Sequence, residues 1–256
     1  CMNVSVKVVR TVTEDDIRLN GIYYQGDKSK DAIVFIHGFT TDFYSHDFYD
    51  VMGEYIAKNN NAFVFAQTRG TGLKTEMITK GYEGKYIGSL YERLEEAHLD
   101  ISAWIEFLVN EGYENIVLIG HSLGTIKVIR YMEEGKYKDR VRKLILLAPF
   151  DKNGYVENMT KGKWKENNEI ALEKINQGNG EDIIPTSFDD FPISYQTYYS
   201  WYMESDLNSV WDFHRKDYKS PVLNRISIPV KVIVGDIDEF LIIPELGTTV
   251  RDAINY

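Results

Sequence analysis

Asn115-Ile116-Val117-Leu118-Ile119-Gly120-His121-Ser122-Leu123-Gly124, continuing through Thr125 to Glu134, is the stretch that decides how this chain is read. Its first five residues are an apolar run suited to a buried strand. The residues after Gly124 place Ile126, Val128, Ile129 and Met132 at helical spacing. A strand, then G-x-S-x-G, then a helix is the context of a nucleophile elbow. The turn is tight enough that neighbouring side chains would collide, so Gly120 and Gly124 relieve the crowding. Ser122 then stands at the carboxyl edge of a sheet, at a helix N-terminus whose dipole favours developing negative charge.

Working outward, the rest of the chain alternates in the same way. Val4, Val6, Val8 and Val12, then Ile17, Leu19 and Ile22, predict an N-terminal antiparallel hairpin. Residues 32–36, 62–66, 143–147 and 228–234 are compact apolar runs, as central parallel strands require. Helices are expected over 47–58, over roughly 89–111 with Gly112 as stop signal, and over 244–256. Residues 152–220 break the pattern. They hold helical stretches near 165–177 and 205–213 and the aromatic run from Phe188 to Tyr202. The expectation is an α/β fold: a doubly wound, mostly parallel sheet with an N-terminal hairpin and a helical cap insertion. Residues 1–150 form the first part of the core, 151–220 the cap, and 221–256 the continuation of the core.

At 256 residues the chain can bury a full core, and 43% hydrophobic with 27% charged residues is ordinary for a globular protein. A net charge of −10 argues against a nucleic-acid surface. The only cysteine is Cys1, which excludes a disulfide framework and a cysteine metal site. No signal peptide or membrane-spanning run is legible, so a cytoplasmic location without a membrane partner is expected.

Functional residues of such sheets gather beyond the carboxyl ends of the strands. The loops at His37, His121 and Gly235 all fall there. Acyl transfer needs a nucleophile, a base, an orienting acid and oxyanion donors. Ser122 is the candidate nucleophile, and the backbone N–H groups of Phe39 and Leu123 are the candidate donors. Gly38 allows the loop close approach. Asp238, three residues after Gly235, is the first choice of acid, with Asp236 and Asp151 as alternatives. His37, Gly38, His46, Tyr195, Tyr199 and Trp201 are candidate substrate contacts, and Arg69 reads as a structural hydrogen-bonder.

The chain order expected for this arrangement is serine, acid, histidine. None of the five histidines follows Asp238. His98 lies within a helix and His121 within the elbow; His37, before a glycine at a strand end, reads first as an orienting hydrogen-bonder and only secondarily as a base, and His214, in the inserted segment, is a further alternative. The base is expected to lie beyond residue 256.

Taken together, His37-Gly38-Phe39, the elbow, Leu146-Leu147-Ala148-Pro149 and Ile228-Pro229-Val230 with Gly235-Asp236-Ile237-Asp238 resemble the α/β-hydrolase superfamily. Within it the chain looks most like feruloyl (cinnamoyl) esterases and siderophore-esterase-like carboxylesterases. The resemblance implies a serine esterase acting on a small-molecule ester through an acyl-enzyme, with no metal or organic cofactor. The cap is the expected source of specificity: Phe188, Phe191, Tyr195, Tyr198, Tyr199, Trp201 and Tyr202 either line an aromatic-tolerant pocket or pack the cap against the sheet edge. A thioesterase or amidase on the same fold, an inactive small-molecule binder and a chain completed by a second polypeptide are the rival readings. A homodimer stays open.

Overall fold

The computed structural model describes residues 4–26, 29–238, 246, 247 and 249. Alternating apolar residues at the N-terminus form β1 (Ser5–Val12) and β2 (Arg18–Gln25), an antiparallel hairpin with Ser5 opposite Gln25 and Val12 opposite Arg18. The unbroken apolar runs become β3 (Asp31–Ile36) and, after helix α1 (Phe48–Lys58), β4 (Ala62–Ala66), in which every residue is buried. A small hairpin, β5 (Thr75–Ile78) and β6 (Gly84–Ile87), precedes α2 (Ala97–Asn110). The elbow stretch forms β7 (Asn115–His121) and α3 (Leu123–Glu134), followed by β8 (Val141–Leu147). Helices α4 (Lys152–Thr160), α5 (Trp164–Asn176), α6 (Tyr195–Tyr202) and α7 (Pro221–Arg225) lead to β9 (Val230–Ile233).

The large sheet has the order β1-β2-β4-β3-β7-β8-β9. The β1–β2 and β2–β4 pairs are antiparallel, and every other pair is parallel. Helices cover both faces. On one, Ile101, Trp104, Ile105 and Leu108 of α2 and Ile126 and Ile129 of α3 pack on Val34, Val64 and Leu118. On the other, Tyr49 and Ala57 of α1 close over Tyr24, Phe35, Phe63 and Phe65. The doubly wound α/β architecture expected from the sequence is the one observed. No helix among the described residues is long and apolar enough to cross a membrane.

Two local expectations fail. The long helix over 89–111 begins only near Leu94, as a 3-10 turn leading into α2, because residues 89–93 are held as a connector. Ser89 and Leu90 donate their N–H groups to the carbonyls of Gly72 and Leu73, and the Glu92 side chain turns inward to a buried lysine. The helix over 205–213 is a series of turns. There Ser205 Oγ accepts the Asn208 N–H, and the Asn208 side chain donates to Ser200 O and Met203 O. Polar side chains that bond nearby backbone offer the chain an alternative to helix, and here they prevail. The β5–β6 hairpin and α4 were not anticipated. Gly112 does end α2, at φ +97°. The helix expected over 244–256 falls, apart from residues 246, 247 and 249, outside the described residues.

Candidate active site

β7 delivers Ser122 into a backbone conformation that an L-residue rarely occupies, φ +54° and ψ −122°. The surroundings over-determine it. The Ser122 N–H donates to Leu147 O at 2.9 Å, while Ser122 O accepts from the Thr125 hydroxyl at 2.7 Å. A Cβ on Gly120 would stand 2.5 Å from Gly124 O, and one on Gly124 would stand 2.3 Å from Ile36 O. Gly120 is therefore demanded by the backbone of the turn, and Gly124 by the backbone at the end of β3. Gly38 is demanded by Ser122 itself: a Cβ there would meet Ser122 Cβ at 2.9 Å.

Beside Ser122 lies a cavity of about 200 Å³ lined by Gly38, Phe39, Thr41, His121, Ser122, Phe150, Phe191 and Trp201. Phe39 packs on Phe191 with ring centroids 4.7 Å apart and meets Trp201 edge-on at 5.7 Å. Leu123 is the first residue of α3, so its N–H has no partner within the helix. Ser122, Gly38, Phe39 and Leu123 are thus brought together at one point. A carbonyl carbon against Ser122 Oγ would have its oxygen facing a helix N-terminus and the loop at Gly38–Phe39.

Of the residues expected to touch substrate, Trp201 and Gly38 line this cavity. His37 does not. It is completely buried, stacks on Phe65, and spends both ring nitrogens inside the protein. Nδ1 faces Gly38 O at 2.8 Å, and Nε2 accepts the Thr68 N–H at 3.0 Å. A carbonyl can only accept and an amide N–H can only donate, so the proton sits on Nδ1. Burial, reinforced by nearby Lys127, holds this histidine neutral, well below its usual range. Tyr195 packs on Phe188, and Tyr199 packs against the main core; neither lines the cavity. His46 is exposed on the α1 side, its ring against Phe48 and Tyr49. Phe150 and Thr41, which do line the cavity, were missed. Both follow strand ends, where a sequence gives position but not side-chain direction.

Asp238 lies half-buried on the turn after β9, and its charge acts on the ring of His121. Burial and the proximity of His46 outweigh it and lower the His121 pKa. Asp236 is exposed. Asp151, the other alternative acid, is fully buried at the N-cap of α4 and accepts from Gly154 N. It also holds His214, whose Nδ1 lies 2.9 Å from Asp151 Oδ2. Asp151, Asp212 and His214 present ligand-type atoms within 4.8 Å of one another. Their acceptors are already committed, however: Asp212 accepts from Asn153 and Arg215. The cluster is an ion-pair network joining α4 to the segment before α7. Trp211, from the same segment, donates to Thr125 Oγ1 in the first turn of α3.

Burial lowers the His214 pKa, but the Asp151 carboxylate, with Asp212 and against Arg215, raises it to a net value above the ordinary one. A raised folded-state pKa stabilises fully below the unfolded value of about 6.5, and the gain is lost as pH rises through the folded value. The melting-temperature difference between the natural chain and His214→Gln is therefore expected to be largest below pH 6.5 and to shrink as pH rises. Thermal melts across pH 5–9 check this.

Residues 3–224 match the family model described as protein of unknown function, DUF1749. The chain belongs to the DUF1749 family. No curated protein matches it. Among solved structures, an α/β-hydrolase fold protein of unknown function shares 17% identity at a TM-score of 0.66, covering 100% of this chain and 83% of its own. The α/β hydrolase GrgF from Penicillium sp. sh18 shares 15% at a TM-score of 0.60, covering 98% and 96%. Est1E from Butyrivibrio proteoclasticus, solved with ferulic acid bound, shares 17% at 0.58, covering 96% and 85%. At these identities the likeness establishes the α/β-hydrolase fold.

Proposed function

We propose that this DUF1749 chain is a serine hydrolase that cleaves a small carboxylic ester through an acyl-enzyme. The observation that carries the reading is Ser122 held at φ +54° at the head of α3, with Gly38 pressed against it at the mouth of the aromatic cavity. Ser122 Oγ attacks the carbonyl carbon. As it does so a general base takes the Oγ proton, and the oxyanion is received by the N–H groups of Phe39 and Leu123. The C–O bond to the alcohol then breaks as the protonated base returns the proton to the leaving oxygen, and water, deprotonated by the same base, cleaves the acyl-enzyme to release the carboxylic acid and restore Ser122. Asp238 is the acid of the triad, by its place after β9 beside the elbow. A Pyrococcus furiosus esterase that shares the fold, and Est1E with its bound ferulic acid, support an ester over other acyl groups.

A second assignment of the acid and base rests on one observation, the Asp151–His214 bond, which has the form of an orienter and a base. No hydrogen bond joins this pair to Ser122 among the described residues.

Labelling by a fluorophosphonate probe tests the reading. One adduct on Ser122 is expected, and a folded chain that does not react would overturn it. Asp238→Asn is expected to slow ester turnover by roughly 10³- to 10⁴-fold, the scale for the acid of a triad. His214→Gln is expected to leave turnover within about tenfold. The opposite ranking assigns the roles to Asp151 and His214.

The cavity also sets a size limit. With Phe39, Phe150, Phe191 and Trp201 as walls, turnover of 4-nitrophenyl esters is expected to favour acetate to hexanoate over dodecanoate. Trp201→Ala, which removes a wall, is expected to shift the preference toward longer chains. A kcat/KM series across chain lengths checks both.

A further inference from the structure

Beneath the elbow, completely out of solvent, sits an ion pair that the proposed chemistry does not use. Lys127 Nζ, from the second turn of α3, lies 2.5 Å from Glu92 Oε1, and the two side chains are 0% and 1% exposed. Bringing both charges out of water is costly, and a pair of apolar residues of similar volume would often serve stability as well. The position of the pair suggests what it does.

Lys127 Nζ also donates to His37 O at 3.4 Å and to Thr68 Oγ1 at 3.4 Å. It therefore bridges two pieces of backbone: α3, whose first N–H belongs to Leu123, and the end of β3, which carries the Gly38–Phe39 loop. On the loop side a chain of bonds continues. The Thr68 N–H donates to His37 Nε2, and His37 Nδ1–H donates to Gly38 O. Gly38 C=O and Phe39 N–H belong to one planar peptide, so the bond to that oxygen fixes the direction of that N–H and polarises it. Glu92 is held against the Thr68-Arg69-Gly70 loop so closely that a Cβ on Gly70 would stand 2.2 Å from its carboxyl group.

We propose that the buried Lys127–Glu92 pair is a positioning device for the oxyanion hole, setting the separation and direction of the Leu123 and Phe39 N–H groups. The inference rests on the serine-hydrolase reading. Lys127 and Glu92 touch no substrate; they act through His37 and the backbone. An oxyanion donor works only when preorganised at hydrogen-bond distance from where the charge develops, and loss of one such donor costs about 10²- to 10³-fold in kcat.

The test removes both charges at once, with Lys127→Met and Glu92→Gln in the same chain, so that neither is left buried alone. The folded double variant is expected to lose at least tenfold in kcat on 4-nitrophenyl butyrate, with KM changed by less than about threefold. It is also expected to bind a phenylboronic acid, which forms a tetrahedral adduct on Ser122, at least tenfold more weakly. A purely structural pair would lower the melting temperature and leave both quantities alone, and that result overturns the proposal. If the double variant does not fold, Lys127→Arg decides, because it keeps the charge and alters the reach to His37 O. A folded Lys127→Arg with at least a tenfold loss of kcat supports the proposal, and unchanged kcat overturns it. No turnover and no Ser122 adduct in the natural chain would overturn the hydrolase reading itself, and this inference with it.

Discussion

Ser122→Ala is expected to abolish ester turnover, with a fall on the order of 10⁴- to 10⁶-fold, while leaving the fold intact. The size follows from the role. Without the hydroxyl there is no acyl-enzyme, and the catalysis left is what the oxyanion donors and binding supply to a water molecule. The intact fold follows from the contacts. Ser122 is fixed through its backbone N–H and C=O, and its Oγ accepts or donates no hydrogen bond among the described residues. Replacing the side chain removes no partner, and alanine meets the same demand at φ +54° as serine did. Steady-state kinetics on a 4-nitrophenyl ester, paired with a thermal melt, separate the two effects. A variant with most of its turnover would end the assignment of Ser122 as nucleophile.

Arg69→Ala is expected to cause the largest loss of stability, about 3–5 kcal/mol, the scale for removing one partner of a buried ion network. Arg69 is 3% exposed and joins three carboxylates from different parts of the chain. Its guanidinium donates to Asp100 at 2.8 Å, to Glu96 at 2.9 Å and to Asp15 at 3.0 Å. Its own N–H also donates to Asp100 Oδ2. Asp100 is completely buried on α2, so the substitution leaves an uncompensated charge in the core. For a chain of this size each kcal/mol is worth roughly 2–4 °C, so the melting temperature is expected to fall by about 6–20 °C. Arg69→Lys is expected to recover little of it, since a single ammonium cannot fork between three carboxylates as a guanidinium does. Denaturant unfolding of the three proteins gives the comparison.

The layers of the fold and the place of Ser122 are legible in local pattern. The alternation of Ile17, Leu19 and Tyr23 and the unbroken apolar runs at 32–36, 62–66 and 115–119 are local signals whose physical cause is burial on one face or on both, whereas Val6, Val8 and Val12 alternate on an edge strand and stay exposed. The elbow is equally legible from its strand, G-x-S-x-G and helix pattern. Gly120 records crowding within the turn, against Gly124 O, whereas the space Gly124 leaves is taken by the backbone of Ile36 and His37 on β3. Arg69 was likewise read as structural, although its three acceptors lie 27, 31 and 54 residues away.

Where side chains point is set by how distant loops close on one another. His37 reads both as an orienting hydrogen-bonder at a strand end and as a substrate contact; the fold turns its ring inward to Thr68, which is 31 residues distant. Tyr195, Tyr199 and Trp201 look alike within one aromatic run, but only Trp201 reaches the cavity, because α6 can present a single stripe toward Phe39. Residues 89–93 carry a helical pattern that is overruled by Glu92 meeting Lys127 and by Ser89 and Leu90 bonding to residues 72–73. A polar side chain's destination is set by whichever partner the fold brings within about 3 Å, and that partner is usually remote in sequence. Local pattern therefore placed Ser122, and long-range closure decided what surrounds it.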